Sequence, residues 1–284
     1  MFGSHLSIAG GMYHALTKAH ELRMDCVQVF TANQRQWNPK PPGDDDIAQW
    51  HHHRITTGLK AVVSHDSYLI NLASPDEDNW RKSINLFRSE LLRCEALSIP
   101  HVVTHPGSHL KQGEEAGLNR IAEALDKIHA DLSGLKVITL LEVTAGQGTN
   151  LGARFEHLRG IIDRVRDPKR LAVCLDTAHM LAAGYDLTSA KGTKATLDEL
   201  NDVLGLNLVK AIHMNDSKTE RGSRVDRHAH IGHGHVSLDA FKVIVRKRAF
   251  AKVLKILETA KEDHPDGRPW DVVNLETLKR LKRG

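Results

Sequence analysis

The stretch Leu171-Ala172-Val173-Cys174-Leu175-Asp176-Thr177-Ala178-His179 opens with five apolar residues and stops at a carboxylate. A run that short, rich in Leu and Val, is too brief for a helix and predicts a strand buried on both faces. The same pattern recurs along the chain. Apolar runs lie at 2–8, 26–30, 60–64, 101–104, 136–141, 207–212 and 251–257. Amphipathic stretches separate them at 12–23, 44–57, 79–97, 114–130, 154–165, 196–204 and 238–247, and one at 270–281 follows the last run. Gly58 stands where a helix end favours positive φ, and Ser237 is placed to cap the next-to-last helix.

Eight strands alternating with eight helices, at about 36 residues per unit, predict an α/β fold, a (β/α)8 TIM barrel. A doubly wound open sheet is the alternative, because alternation alone does not prove closure. No linker or low-complexity tract intervenes, so residues 1–284 are expected to form a single barrel domain.

Composition sets outer bounds. At 40% hydrophobic and 26% charged the chain is globular, and its net charge of +4 is compatible with a nucleic-acid partner without establishing one. No signal peptide is read at the N-terminus, and no apolar run approaches the roughly 18 residues of a membrane span, so no membrane partner is expected. The three cysteines, Cys26, Cys94 and Cys174, form no CxxC pair. They predict neither a disulfide framework nor a cysteine zinc knuckle, and a reducing, cytoplasmic setting is expected. Cys26 and Cys174 fall within strand runs and are expected to be small buried hydrophobes. The chain holds 19 histidines, an unusual number whose positions matter more than the count.

Six of the strands finish in a potential metal ligand: His65, His105, Glu142, Asp176, His213 and Glu258. In a barrel the C-terminal strand ends converge on one mouth, where active sites are built. Polar residues also mark any strand's emergence into solvent, but that does not explain why all six are His, Asp or Glu. His179 lies one turn beyond Asp176. Asp226 and His228 have the i, i+2 spacing that points two side chains the same way in an extended segment, and His230, His233 and His235 repeat it. Spacing alone leaves open whether His228 or His230 is the ligand. A set so rich in imidazole favours zinc over magnesium or manganese, and nine donors exceed the needs of one tetrahedral ion.

Taken in order, several stretches resemble the endonuclease IV family of apurinic/apyrimidinic endonucleases. They are Gly3-Ser4-His5-Leu6-Ser7, the run from Phe30 to Trp37, the run from His65 to Ala73, Thr104-His105-Pro106-Gly107, the run from Leu141 to Gly148, the run from Cys174 to Asp186, the run from His213 to Lys218, the run from Asp226 to Gly232, and Leu257-Glu258-Thr259. The resemblance implies a TIM barrel with three Zn2+ ions. One would take His65, His105 and Glu142; the second would share Glu142 and add Asp176, His213 and Glu258; the third would take His179, Asp226 and His228. It thereby prefers His228 over His230. The chain departs from the family's usual pattern at Ala178, His233 and Ala260, none of them a proposed ligand.

The same resemblance implies an enzyme that hydrolyses the phosphodiester 5′ to an abasic site in double-stranded DNA, leaving a 3′-OH and a 5′-deoxyribose phosphate, and that also clears blocked 3′ ends. Glu142 and Glu258 are the expected catalytic carboxylates. Three divalent ions against four carboxylates leave a net positive site suited to a phosphodiester, and zinc lowers the pKa of bound water toward about 7. Arg35, Tyr68 and Leu69 are the implied DNA contacts, a wedge suited to unstacking at a lesion. Without the resemblance, Tyr68 and Leu69 read as loop-packing residues. A monomer is expected.

Other signals carry less. Gly146-Gln147-Gly148 fails the dinucleotide fingerprint because residue 151 is Leu151, and no nucleotide cofactor is expected. His51, His52 and His53 lie on a helix expected to face solvent, while His14, His20, His109, His129 and His157 are expected at surface or cap positions without partners. The rival functions are a sugar isomerase or epimerase on a related barrel, and a non-catalytic binder of DNA lesions. The first would use a carboxylate-richer set for one or two ions.

Overall fold

The computed structural model describes residues 1–283. Among these residues, eight parallel strands close into a barrel: β1 (Phe2–His5), β2 (Cys26–Phe30), β3 (Ala61–His65), β4 (His101–Thr104), β5 (Ile138–Glu142), β6 (Leu171–Asp176), β7 (Val209–His213) and β10 (Leu254–Leu257). The last strand lies between β7 and β1, which closes the sheet and excludes the open alternative. The helices are α1 (Tyr13–Glu21), α2 (Asp44–Thr57), α3 (Glu77–Ala96), α4 (Glu114–Asp131), α5 (Phe155–Arg164), α6 (Thr177–Ala183), α7 (Ala190–Val203), α8 (Leu238–Arg246) and α9 (Trp270–Arg283). A two-stranded ribbon, β8 (Asp216–Ser217) against β9 (His228–Ala229), stands apart from the barrel. No described helix is long and apolar enough to cross a membrane.

Helix ends follow local chemistry. Gly58 closes α2 at φ 63°, and the Ser237 side chain accepts from the Ala240 N–H at the start of α8. The short α6 is not expected from the sequence. Asp176 caps it by accepting from the His179 N–H at 2.8 Å, so one carboxylate both ends β6 and starts the helix that presents His179.

The core has two parts. A large shell of apolar residues lies between barrel and helices. A smaller cluster fills the barrel interior: Cys26, Val63, Val103, Leu140, Ala172, Cys174, Ala211, Leu254 and Ile256. Side chains on a strand alternate with period two, so the residue two places beyond an interior residue points toward the same axis. Stepping on from Val63, Val103, Leu140, Cys174, Ala211 and Ile256 gives His65, His105, Glu142, Asp176, His213 and Glu258. The apolar plug is thus the floor on which the polar constellation stands.

Candidate metal centre at the barrel mouth

Three groups of His, Asp and Glu gather at this mouth, with the donor atoms of each group within 4.8 Å of one another. They are His65, His105 and Glu142; Glu142, Asp176, His213 and Glu258; and Asp176, His179 and His228. Glu142, fully buried, is central. Its Oε2 lies 3.2 Å from His65 Nε2 and 3.3 Å from His105 Nε2, while its Oε1 lies 2.9 Å from His213 Nδ1 and 3.2 Å from His179 Nδ1. Asp226 comes from the loop between β8 and β9. Its two oxygens each lie 3.2 Å from an imidazole, His179 Nε2 on one side and His228 Nε2 on the other. The third group therefore joins His179 and His228 to Asp176, while Asp226, expected from the sequence to complete the set, lies beside both imidazoles but outside the group.

Hydrogen bonds to the far nitrogen orient most of these rings. His65 Nδ1 donates to the Asp66 carbonyl at 3.0 Å, His179 Nδ1 to the Val143 carbonyl at 3.0 Å, and His228 Nδ1 to the Glu258 carbonyl at 3.3 Å. His213 reverses the pattern: Nε2 donates to Gln28 Oε1 at 2.8 Å and Nδ1 faces the carboxylates. Each bond selects the tautomer that turns an unprotonated nitrogen toward the centre, the arrangement typical of metal-bound histidine. His179 Nε2 and His228 Nε2 are buried and make no hydrogen bond although Asp226 lies beside both. Orphaned buried nitrogens facing carboxylates fit a cation between them.

The electrostatics agree. Burial would raise the Glu142 carboxyl, but His213 and His105 outweigh it and hold the group well below its usual range. Burial would lower the His65 and His228 imidazoles, but neighbouring carboxylates, Glu142 for His65 and Asp176 with Asp226 for His228, raise both to about 9. A cation and a proton therefore compete for these rings.

Two members escaped the sequence reading. Gln28 on β2 donates to Glu258 Oε1 at 2.6 Å while accepting from His213, and it also meets His5 Nδ1 at 2.9 Å. His5 and Gln28 share the parity of the ligands on the two strands that supply none. That period was the signal that could have found them. Asn215 is a third: its Nδ2 donates to Asp176 Oδ2 at 2.7 Å and its Oδ1 accepts from the Glu258 N–H at 2.8 Å.

The expected DNA contacts lie on loops above the mouth. Tyr68, 70% exposed, stands edge-on to Phe30 and near His65 and His105. Arg35 is exposed, whereas Leu69 is partly buried against the core. A cavity of about 240 Å³ opens beside the first group, lined by Ser67, Tyr68, Asn71, His105 and Thr144 among others. A larger one, about 1070 Å³, lies on the outer helices around Trp80 and Ala122 and touches none of the three groups, so size does not mark the site.

Several histidines set aside from the sequence do have partners or burial. His157 is buried and accepts from the Gly152 N–H, His129 is buried, and His109 accepts from the Gly113 N–H at the start of α4. His230 stacks on Trp270 and bonds Glu262 and Asn274, which turns it away from the centre, and His233 and His235 are exposed. All three cysteines are buried and free.

A closed parallel barrel with a His-rich, carboxylate-bridged centre at its C-terminal mouth defines a class. The family model described as Xylose isomerase-like TIM barrel matches residues 16–283. A D-tagatose 3-epimerase-like protein shares the fold at TM-score 0.75 and 18% identity, covering 99% of this chain and 96% of that one. A nearer likeness is to the crystal structure of endonuclease IV from Thermus thermophilus, at TM-score 0.85 and 33% identity over 99% of this chain and 98% of that one. "Probable endonuclease 4" from Chloroflexus aurantiacus (strain J-10-fl) is 44% identical over 284 residues, all of this chain and 98% of that protein. Within that barrel class, this chain belongs to the endonuclease IV family of nucleases.

Proposed function

We propose that the protein is a zinc-dependent DNA-repair endonuclease that hydrolyses the phosphodiester 5′ to an abasic site in duplex DNA, leaving a 3′-OH and a 5′-deoxyribose phosphate. In this account it also clears blocked 3′ ends, acts as a monomer in the cytoplasm and uses its whole length as one barrel domain. The observation that carries it is the convergence of eight His, Asp and Glu side chains into three contiguous groups, with Asp226 beside the third, on a chain whose relatives are endonucleases.

His65, His105 and Glu142 would hold one zinc; Glu142, Asp176, His213 and Glu258 a second; His179, Asp226 and His228 a third. Bound zinc would supply Lewis acidity toward the phosphate and activation of water at neutral pH. The protein's own groups do the rest. Glu142 and Glu258 fix the spacing of the groups and set the charge of the floor, Glu142 by facing imidazoles on both sides. Gln28 donates to one oxygen of the Glu258 carboxylate and Asn215 to the other, which keeps it aimed inward, while Asn215 also accepts from the Glu258 N–H. The Tyr68 ring, exposed at the rim, and Arg35 would enter the groove beside the lesion, with Leu69 completing the wedge. An abasic nucleotide has already lost its pairing, so it leaves the stack at least cost. The test is zinc content together with incision of a duplex carrying one stable abasic analogue, compared with an undamaged duplex.

A further inference from the structure

We propose that Asp216 is a positioning residue: its buried carboxylate is the anchor that holds the segment 226–236, and with it Asp226 and His228, against the barrel mouth. Asp216 is fully buried. Its Oδ1 accepts from the N–H groups of Ser217 and Val236, both at 2.8 Å, and its Oδ2 from those of Gly232 at 2.9 Å and Gly234 at 3.0 Å. Four backbone donors occupy both oxygens, and no basic side chain among the described residues pairs with the charge. Such a carboxylate binds its loop rather than a cation, since charge-assisted bonds to backbone N–H are among the stronger ones.

The loop is built to meet it. Gly232 sits at φ +83°, and a Cβ on Gly234 would lie 2.2 Å from the Ser217 carbonyl oxygen and 2.5 Å from Asp216 Oδ1. The alternation Ile231-Gly232-His233-Gly234 is thus the backbone's means of closing around the carboxylate. The anchor continues directly into the centre. Asp216 pairs with Ala229 and Ser217 with His228 across the β8–β9 ribbon, and His235 N–H donates to the Ser217 carbonyl at 2.8 Å. From the opposite side, Asn274 accepts from the Ile231 N–H at 3.0 Å. His228 and Asp226 have no barrel strand beneath them, so their aim depends on these bonds.

The inference rests on the proposed metal reading only where it concerns the third ion. Two variants attack the anchor from its two sides. Asp216→Asn turns an amide against two of the four donors, and Gly234→Ala forces the loop off the carboxylate without changing charge. Amide hydrogen exchange on the metal-free chain should show the amides of Gly232, Gly234 and Val236 opening at least about tenfold faster in either variant, with barrel-strand protection unchanged. After dialysis against a chelator that wild type withstands, each variant should retain one zinc equivalent fewer, with affinity at that site weakened on the order of tenfold or more. The double variant should lose little beyond either single one, because both break the same contact. Wild-type exchange and stoichiometry in both folded variants would overturn the proposal. Should Asp216→Asn fail to fold, Gly234→Ala decides alone. A wild-type chain that never binds a third ion contradicts the metal reading, and the exchange result then judges the anchor independently.

Discussion

Replacing Gln28 with Leu probes how far the centre depends on a side chain that would itself bind no metal. Gln28 accepts the hydrogen bond of His213 Nε2–H, at 2.8 Å, and donates to Glu258 Oε1 at 2.6 Å. Leucine fills similar space but offers neither group. The buried His213 N–H is then left without an acceptor, a penalty of about 1–3 kcal/mol. At about 1.4 kcal/mol per factor of ten, this corresponds to roughly a five- to 150-fold loss in any equilibrium that needs His213 in place. It matches the roughly 10- to 100-fold cost typical of losing a partner that orients a metal-bound histidine. Competition with a chromophoric zinc chelator at neutral pH should show that loss in one equivalent, the one held by His213 and Glu258. Cleavage should fall with it. Zinc affinity within twofold of wild type at every site would refute the idea that Gln28 sets the His213 tautomer and the Glu258 aim.

Other perturbations test separate parts of the account. Glu142→Gln or Glu258→Gln should abolish incision while largely sparing binding to an abasic duplex in a gel-shift assay; turnover retained in either would remove it from the catalytic set. Tyr68→Ala and Arg35→Ala should weaken binding to an abasic duplex more than to an intact one, and equal losses on both would assign them to general backbone contact. Among the described residues His129 is buried without a partner for either ring nitrogen, and burial lowers its pKa to about 4 from 6.5. Between those values the unfolded chain takes up a proton that the folded chain refuses. Stability should therefore fall as pH drops from about 6.5 to 4, by at most about 3 kcal/mol from this group. His129→Leu should flatten that slope in urea titrations, and an unchanged slope would show that the buried ring does not govern it.

The alternation of short apolar runs with amphipathic stretches gave the α/β class and the number of strands but not their closure, and polarity at the strand ends located the mouth. Of the six strand ends read as ligands, β3, β5, β6 and β7 do finish at His65, Glu142, Asp176 and His213, whereas β4 and β10 stop one residue earlier, at Thr104 and Leu257. One strand start was misplaced. Asn207 and Leu208, at the head of the apolar run that becomes β7, belong instead to a 3-10 turn over Leu206–Leu208 that begins after Gly205 at φ +83°. The helix expected at 196–204 starts at Ala190 instead. Its first turns bury Thr193 and Thr196 rather than apolar residues, so hydrophobic periodicity gave no sign of them. Ser189 caps the helix, and a Cβ at Gly192 would strike Asp186. The ribbon carrying Asp226 and His228 was invisible for a related reason: backbone bonds to one buried carboxylate hold it, with no apolar pattern to betray them.

The central claim is that the nine side chains at the mouth hold zinc for cutting beside a missing base. Its most direct test measures metal content and incision on the same purified chain, using a duplex with a single tetrahydrofuran abasic analogue. The account predicts about three zinc ions per chain, cleavage immediately 5′ to the lesion with a 3′-OH product, and loss of cutting when a chelator strips the metal. One or two magnesium or manganese ions per chain, with the abasic duplex left intact, would contradict it.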